Sequence, residues 1–120
     1  MTKTFIQTEE FLRNWEELGF NDDDLRKLEL ELLKNPQSGS VVRGTGRLRK
    51  MRFALPNRGK SGGVRVCYVD FVIQEAIYLV TVYAKKQKDN LTQEECSAIK
   101  KMIKLLEESL IGEEIHEKCI

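Results

Sequence analysis

From Gly39 to Val69 the chain has no acidic residue, while eight basic ones fall there: Arg43, Arg47, Arg49, Lys50, Arg52, Arg58, Lys60 and Arg65. Of twenty Lys and Arg these take eight, leaving twelve to face all nineteen Asp and Glu, so a formal net charge of +1 hides an acidic frame around one basic stretch. A field of that kind attracts polyanions, phosphate above all. Gly44, Gly46, Gly59, Gly62 and Gly63 and strand-like apolar residues thread the run, which places the cations on folded backbone rather than on a disordered tail.

Histidine is nearly absent: His116 stands alone, which excludes acid–base chemistry built on a histidine pair. Cys67, Cys96 and Cys119 are an odd count at wide spacings and read as free thiols in a reducing compartment. His116 and Cys119 have ligand-like spacing but make only half of a zinc site, so no metal and no other cofactor is expected. No apolar run approaches the roughly 20 residues of a membrane span, and the longest, Ile77 to Ala84, is strand-sized. The N-terminal MTKTFIQTEE lacks the apolar core and cleavage pattern of a secretory signal, so a cytoplasmic protein without a membrane partner is expected. At 120 residues, 41% apolar and 32% charged, the chain fits one domain, 1–120, with no second core.

Lys3 to Thr8 reads as a short strand, and Glu9 to Leu18 as a helix with Phe11, Leu12, Trp15 and Leu18 on one stripe, ended by Gly19. Asn21 has the marks of an N-cap, with Asp22, Asp23 and Asp24 in the first turn and Phe20 set to staple to Leu25. That second helix passes Leu28, Leu32 and Leu33 and closes at Asn35-Pro36. Beyond it the period becomes extended: Val41-Val42, Leu48 to Leu55, Val64 to Ile73 and Ile77 to Lys85 are expected strands, with Gln74-Glu75-Ala76 a tight connection. Strands Val64 to Ile73 and Ile77 to Ala84 are apolar on both faces, which predicts central positions covered on each side. Thr92-Gln93-Glu94-Glu95 is a capping box opening a helix to Leu110, with Cys96, Ile99, Ile103, Leu106 and Leu110 on its apolar stripe. The expected fold is α+β: a twisted, mainly antiparallel sheet with two N-terminal helices and a C-terminal helix.

Gly59-Lys60-Ser61 has the tail of a phosphate-binding P-loop, but Ala54 stands where the earlier glycine belongs and a strand follows instead of a helix, so a basic hairpin loop is expected. Gly44-Thr45-Gly46 likewise reads as a turn. Strand alternation places Lys50 and Arg52 on one face and Met51 and Phe53 on the other. Arg65 shares its face with Cys67, Val69 and Phe71, a charge at the margin of an apolar row. Such an arginine needs an anion, either a helix carboxylate such as Glu95 or Asp24 or the phosphate of a ligand. A meander also carries Lys85 and Lys86, after the last strand, toward Arg65.

The strings RGTGRLRKMR (Arg43 to Arg52), GKSGGVRVCY (Gly59 to Tyr68) and IYLVTVYAKKQKDNLTQEE (Ile77 to Glu95) resemble, in the same order, the HigB-like branch of the RelE superfamily of bacterial toxins. The resemblance implies a small α+β toxin that cleaves mRNA in the ribosomal A site and is silenced by a cognate antitoxin, often a helix-turn-helix protein. It also implies catalytic roles for Lys50, Arg52 and Arg65, with Lys85 or Lys86; the other cations of the basic run, Arg43, Arg47, Arg49, Arg58 and Lys60, with Tyr68 and Tyr83, are expected RNA contacts. Where RelE toxins place a tyrosine near the start of the last helix this chain has Leu91-Thr92, and Tyr68 and Tyr83 are the candidates for its role. Cleavage by a neighbouring 2′-hydroxyl needs alignment, a proton acceptor and donor, and charge stabilisation at phosphorus. Lys50, flanked by Arg49 and Arg52, is the candidate for moving a proton, since arginine stays charged and only stabilises. The alternative function is a noncatalytic RNA-binding or protein-interaction module on the same scaffold.

Overall fold

The computed structural model describes residues 3–55, 63–88 and 90–119, with backbone alone from 110 onward. The elements run β1 (Thr4–Gln7), α1 (Glu9–Glu17), α2 (Asp22–Lys34), β2 (Ser40–Val41), β3 (Arg49–Phe53), β4 (Val64–Phe71), β5 (Ala76–Ala84) and α3 (Gln93–Cys119). One five-stranded sheet has the order β1-β5-β4-β3-β2, antiparallel except where β1 runs parallel to β5.

Local chemistry starts and stops the helices. The Thr8 hydroxyl caps α1 by accepting from the Phe11 N–H at 3.0 Å, and Gly19, at φ +90°, turns the chain out of it. Asn21 and Asp24 form a reciprocal capping box at the start of α2, each side chain taking the other's backbone N–H at 2.9 Å. In α3 the Thr92 hydroxyl accepts from the Glu95 N–H and Glu95 Oε1 from the Thr92 N–H. That helix continues to Cys119, past the expected end at Leu110, because no proline follows and Gly112 alone costs only about 1 kcal/mol.

The sheet is covered on both sides, as two-faced apolar strands require. Phe11, Trp15, Leu28 and Leu32 of α1 and α2 pack on Met51, Phe53, Val66, Tyr68, Leu79 and Val82. On the other face Ile103, with Ile99, Met102 and Leu106 of α3, packs on Leu48, Cys67, Val69, Phe71 and Val80. Each fully buried side chain of this size contributes about 1.5–3 kcal/mol. Lys3 neutralises the buried Asp70 carboxylate at 2.9 Å. Among the described residues no helix is long and apolar enough to cross a membrane.

Two details position the site. Gly39 lies so close to β3 that a Cβ there would sit 2.8 Å from the Lys50 carbonyl oxygen, and its N–H donates to the Tyr68 hydroxyl at 3.0 Å. In β5 a register shift lies opposite Cys67/Tyr68: Cys67 pairs with Thr81 and Tyr68 with Leu79, leaving Val80 as the extra residue. Before this bulge Tyr78 and Val80 face α3; after it Tyr83 does, so the bulge exchanges the faces of the strand's last residues.

Candidate catalytic face

Directly opposed residues on neighbouring strands share a face, and the register therefore draws two rows across β3, β4 and β5. One is Arg52–Arg65–Tyr83 and the other Lys50–Cys67–Thr81. The register thus puts two arginines directly opposite each other on one face of β3 and β4, a concentration of positive charge that favours anions over that face. Arg65 is half-buried on a central strand, whereas Arg52 is exposed.

The connection from β5 to α3 closes over these rows. Lys50 Nζ donates to Asn90 Oδ1 at 3.0 Å. The Lys88 ammonium stands 5.1 Å from the centroid of the Tyr83 ring and is ion-paired with Glu95 Oε2, whose partner oxygen caps α3. The hydrogen bond from Lys88, with that from the Thr92 N–H, holds the Glu95 carboxyl below its ordinary value. Burial pushes the Tyr83 hydroxyl up to about 12, and the adjoining Cys67 and Glu95 add to this against Arg65. Cys67 is pushed up to about 12 as well, by burial, against the pull of Lys50 and Lys88. What the face offers is a cluster of cations around protonated hydroxyl and thiol groups, a surface for holding a phosphate and stabilising charge as it develops there. Among the described residues no three His, Cys, Asp or Glu side chains converge as metal ligands.

The model of the family described as the RelE toxin of the RelE/RelB toxin-antitoxin system matches residues 3–117. The chain belongs to the RelE toxin family. E. coli toxin RelE in the free state, with two arginines changed to alanine, is 18% identical to it, covers 74% of this chain and 90% of its own, and superposes with a TM-score of 0.52. The toxin of the intact E. coli RelBE toxin-antitoxin complex is 19% identical, over 68% of this chain and 94% of that one, at 0.50. The same RelE mutant bound to a peptide of the antitoxin RelB is 17% identical, over 78% and 98%, also at 0.50. These likenesses show a RelE fold.

Within this chain the sequence-predicted residues divide. Lys50, Arg52, Arg65 and Tyr83 share one face. Lys85 and Lys86 leave the sheet at its Arg65 end, since Ala84 pairs with Val64, and both are exposed. Arg43 is exposed in the turn before β3, and Gly44 in that turn lies against Cys96 at the start of α3. Arg58 and Lys60, with their loop, lie outside the described residues.

One expected RNA contact, Tyr68, is corrected, and two others, Arg49 and Arg47, are engaged within the fold. Tyr68 is fully buried beneath α1 and α2, its hydroxyl engaged by Gly39, so it has no surface to offer a base. Arg49 pairs in register with Tyr68 and thus belongs to that same opposite face, where it donates to the Gly39 carbonyl at 2.6 Å. Arg47 ties α3 down, donating to Glu107 at 2.9 Å and to the Asp70 carbonyl at 2.8 Å while lying over Phe71. Missing from the sequence-derived site were Thr81, Lys88 and Asn90, while Glu95, offered there as an anion for Arg65, is held by Lys88. The capping box did mark Glu95 as an inward-reaching carboxylate with one oxygen to spare, but a turn has no periodicity from which to aim Lys88 or Asn90.

The state of Cys67 is open to direct measurement. Burial favours the neutral thiol, so its contribution to stability is present below the ordinary value of 9.0 and is lost as pH rises toward about 12. Alkylation at pH 8 followed by mass mapping is expected to leave Cys67 unmodified in the native protein and to modify it once denaturant is added, since the thiolate is the nucleophile.

Proposed function

We propose that this RelE-family toxin is a ribosome-dependent mRNA endonuclease that cuts in the A site without a metal and so halts translation in the cytoplasm. The observation that supports the reading is the Arg52–Arg65–Tyr83 row with Lys50 beside it, which puts two arginines and a lysine on one face of neighbouring strands. Arginine forks grip non-bridging oxygens, and the charge that accumulates on them as the 2′-hydroxyl attacks strengthens that grip in the transition state. Lys50, which donates to the Asn90 side chain, is the group to move a proton, since arginine stays charged. With no histidine pair for strong acid–base work, in-line geometry imposed by the ribosome supplies much of the acceleration. The whole chain, 1–120, acts as one domain.

The family description and the RelBE complex support a cognate antitoxin as partner. A helix-turn-helix antitoxin that covers the cationic face with acidic residues fits its charge, and expression of the chain alone is then toxic while co-expression of the neighbouring reading frame relieves it.

The decisive experiment adds purified protein to a translation reaction and maps mRNA ends. Cuts at A-site codons are expected, with naked RNA left largely intact and with no loss of cleavage to a chelator when ribosomal magnesium is maintained. RNA binding without new ends would identify a noncatalytic module, and equal cleavage of naked RNA would remove the ribosome from the mechanism.

A further inference from the structure

Among the described residues one buried side-chain polar atom has no hydrogen-bond partner, the hydroxyl of Tyr83, in a residue only 3% exposed. Buried hydroxyls without partners are rare in folded proteins, because losing water without replacement is costly, and phenylalanine would fill the same space without that cost. The Cys67 thiol adjoins this hydroxyl without meeting hydrogen-bond geometry. Above the ring sits Lys88, held by Glu95. Beside them a cavity of about 350 Å³ opens along the edge of β5, lined by Tyr83, Lys88 and Glu95 and by Glu10, Arg13 and Glu17 of α1.

We infer that Tyr83 is a further catalytic residue of the cleavage proposed above: when an RNA phosphate draws Lys88 away from Glu95, the uncovered phenol donates a hydrogen bond to a non-bridging oxygen of the phosphate held by Arg65. This rests on the nuclease reading. Three observations carry it. Tyr83 is paired with Arg65 in register, so hydroxyl and guanidinium act from the same face. Lys88 is held through an ion pair in which both side chains are about one-third exposed, a contact weak enough for a phosphate to compete for the ammonium. Release also leaves α3 intact, since the other Glu95 oxygen stays on the Thr92 N–H. The phenol remains protonated throughout the working pH range and acts as a donor rather than a base, with no proton transferred.

Single-turnover cleavage on programmed ribosomes tests this with Tyr83→Phe. A loss of about 100-fold is expected, the scale of one oxyanion donor, with ribosome binding unchanged and a thermal midpoint equal to or above that of the unmodified chain. Cleavage within about two-fold of the unmodified chain overturns the assignment, as does a parallel loss of binding and thermal stability, which marks a structural residue. Failure of the unmodified chain to cleave refutes the nuclease reading itself and the inference with it. Glu95→Gln keeps the cap acceptor but removes the ion pair, and is expected to raise cleavage at sub-saturating ribosomes about two- to five-fold, the worth of an exposed pair; unchanged or slower cleavage overturns the cover formed by Lys88.

Discussion

Arg65→Ala is expected to slow mRNA cleavage by about 100-fold or more, roughly 3 kcal/mol of transition-state stabilisation, while the fold persists. The strand around Arg65 is pinned on both sides, to Arg52 and to Tyr83, so the guanidinium is aimed by backbone on two flanks and loses little freedom when it grips a phosphate. Replacing it removes the fork while the backbone pairing of β4 with β3 and β5 stays in place, so the fold should persist. Arg65→Lys is expected to recover only part of the rate, because an ammonium is a point charge. Single-turnover rates beside thermal midpoints check this. If Arg65→Ala unfolds the protein and the folded fraction cuts at the original rate, the arginine is structural.

Phe11→Ala should do the converse. Phe11 is fully buried, stacks on Trp15 with ring centroids 5.5 Å apart, and anchors α1 to the sheet. Losing the ring is expected to cost about 3–5 kcal/mol, a large share of the 5–15 kcal/mol typical of a domain. Chemical denaturation gives the stability, and the rate per folded molecule should stay near that of the unmodified chain, because the ring lies under the face opposite to the arginine row. A fall in rate per folded molecule as deep as that of Arg65→Ala would mean that the two faces are coupled.

The parts of this architecture that follow local rules were legible in the sequence. Asn21 and Thr92 cap helices as their neighbours demand, and the apolar runs of β4 and β5 occupy the interior with helices on both sides. Alternation set Lys50 and Arg52 on one face, and the same alternation set Arg49 on the other, so the basic run divides between the two faces of the sheet. Long-range partners left no local trace: Arg47 meets Glu107 sixty positions away, and β1 takes its place parallel to β5. The bulge at Val80 was equally hidden, because strict alternation from Tyr78 sends Tyr83 away from Arg65 and only the extra residue brings it back.

The place of β5 has a consequence for the order in which the protein is made. Thr4 must wait for Ala76 before β1 has a partner, and Thr8 and Asn14 of α1 donate to the Val80 and Val82 carbonyls, at 2.6 and 3.1 Å, on the stretch of β5 edge that β1 leaves uncovered. Long-range closures of this kind come late in folding, since the chain entropy is spent before the contacts repay it. A nascent chain that has emerged only as far as Phe71 carries the basic strands but neither Tyr83 nor the strand on which α1 docks. The sheet face that carries Arg65 is thus completed only when β5 emerges and pairs with both β4 and β1.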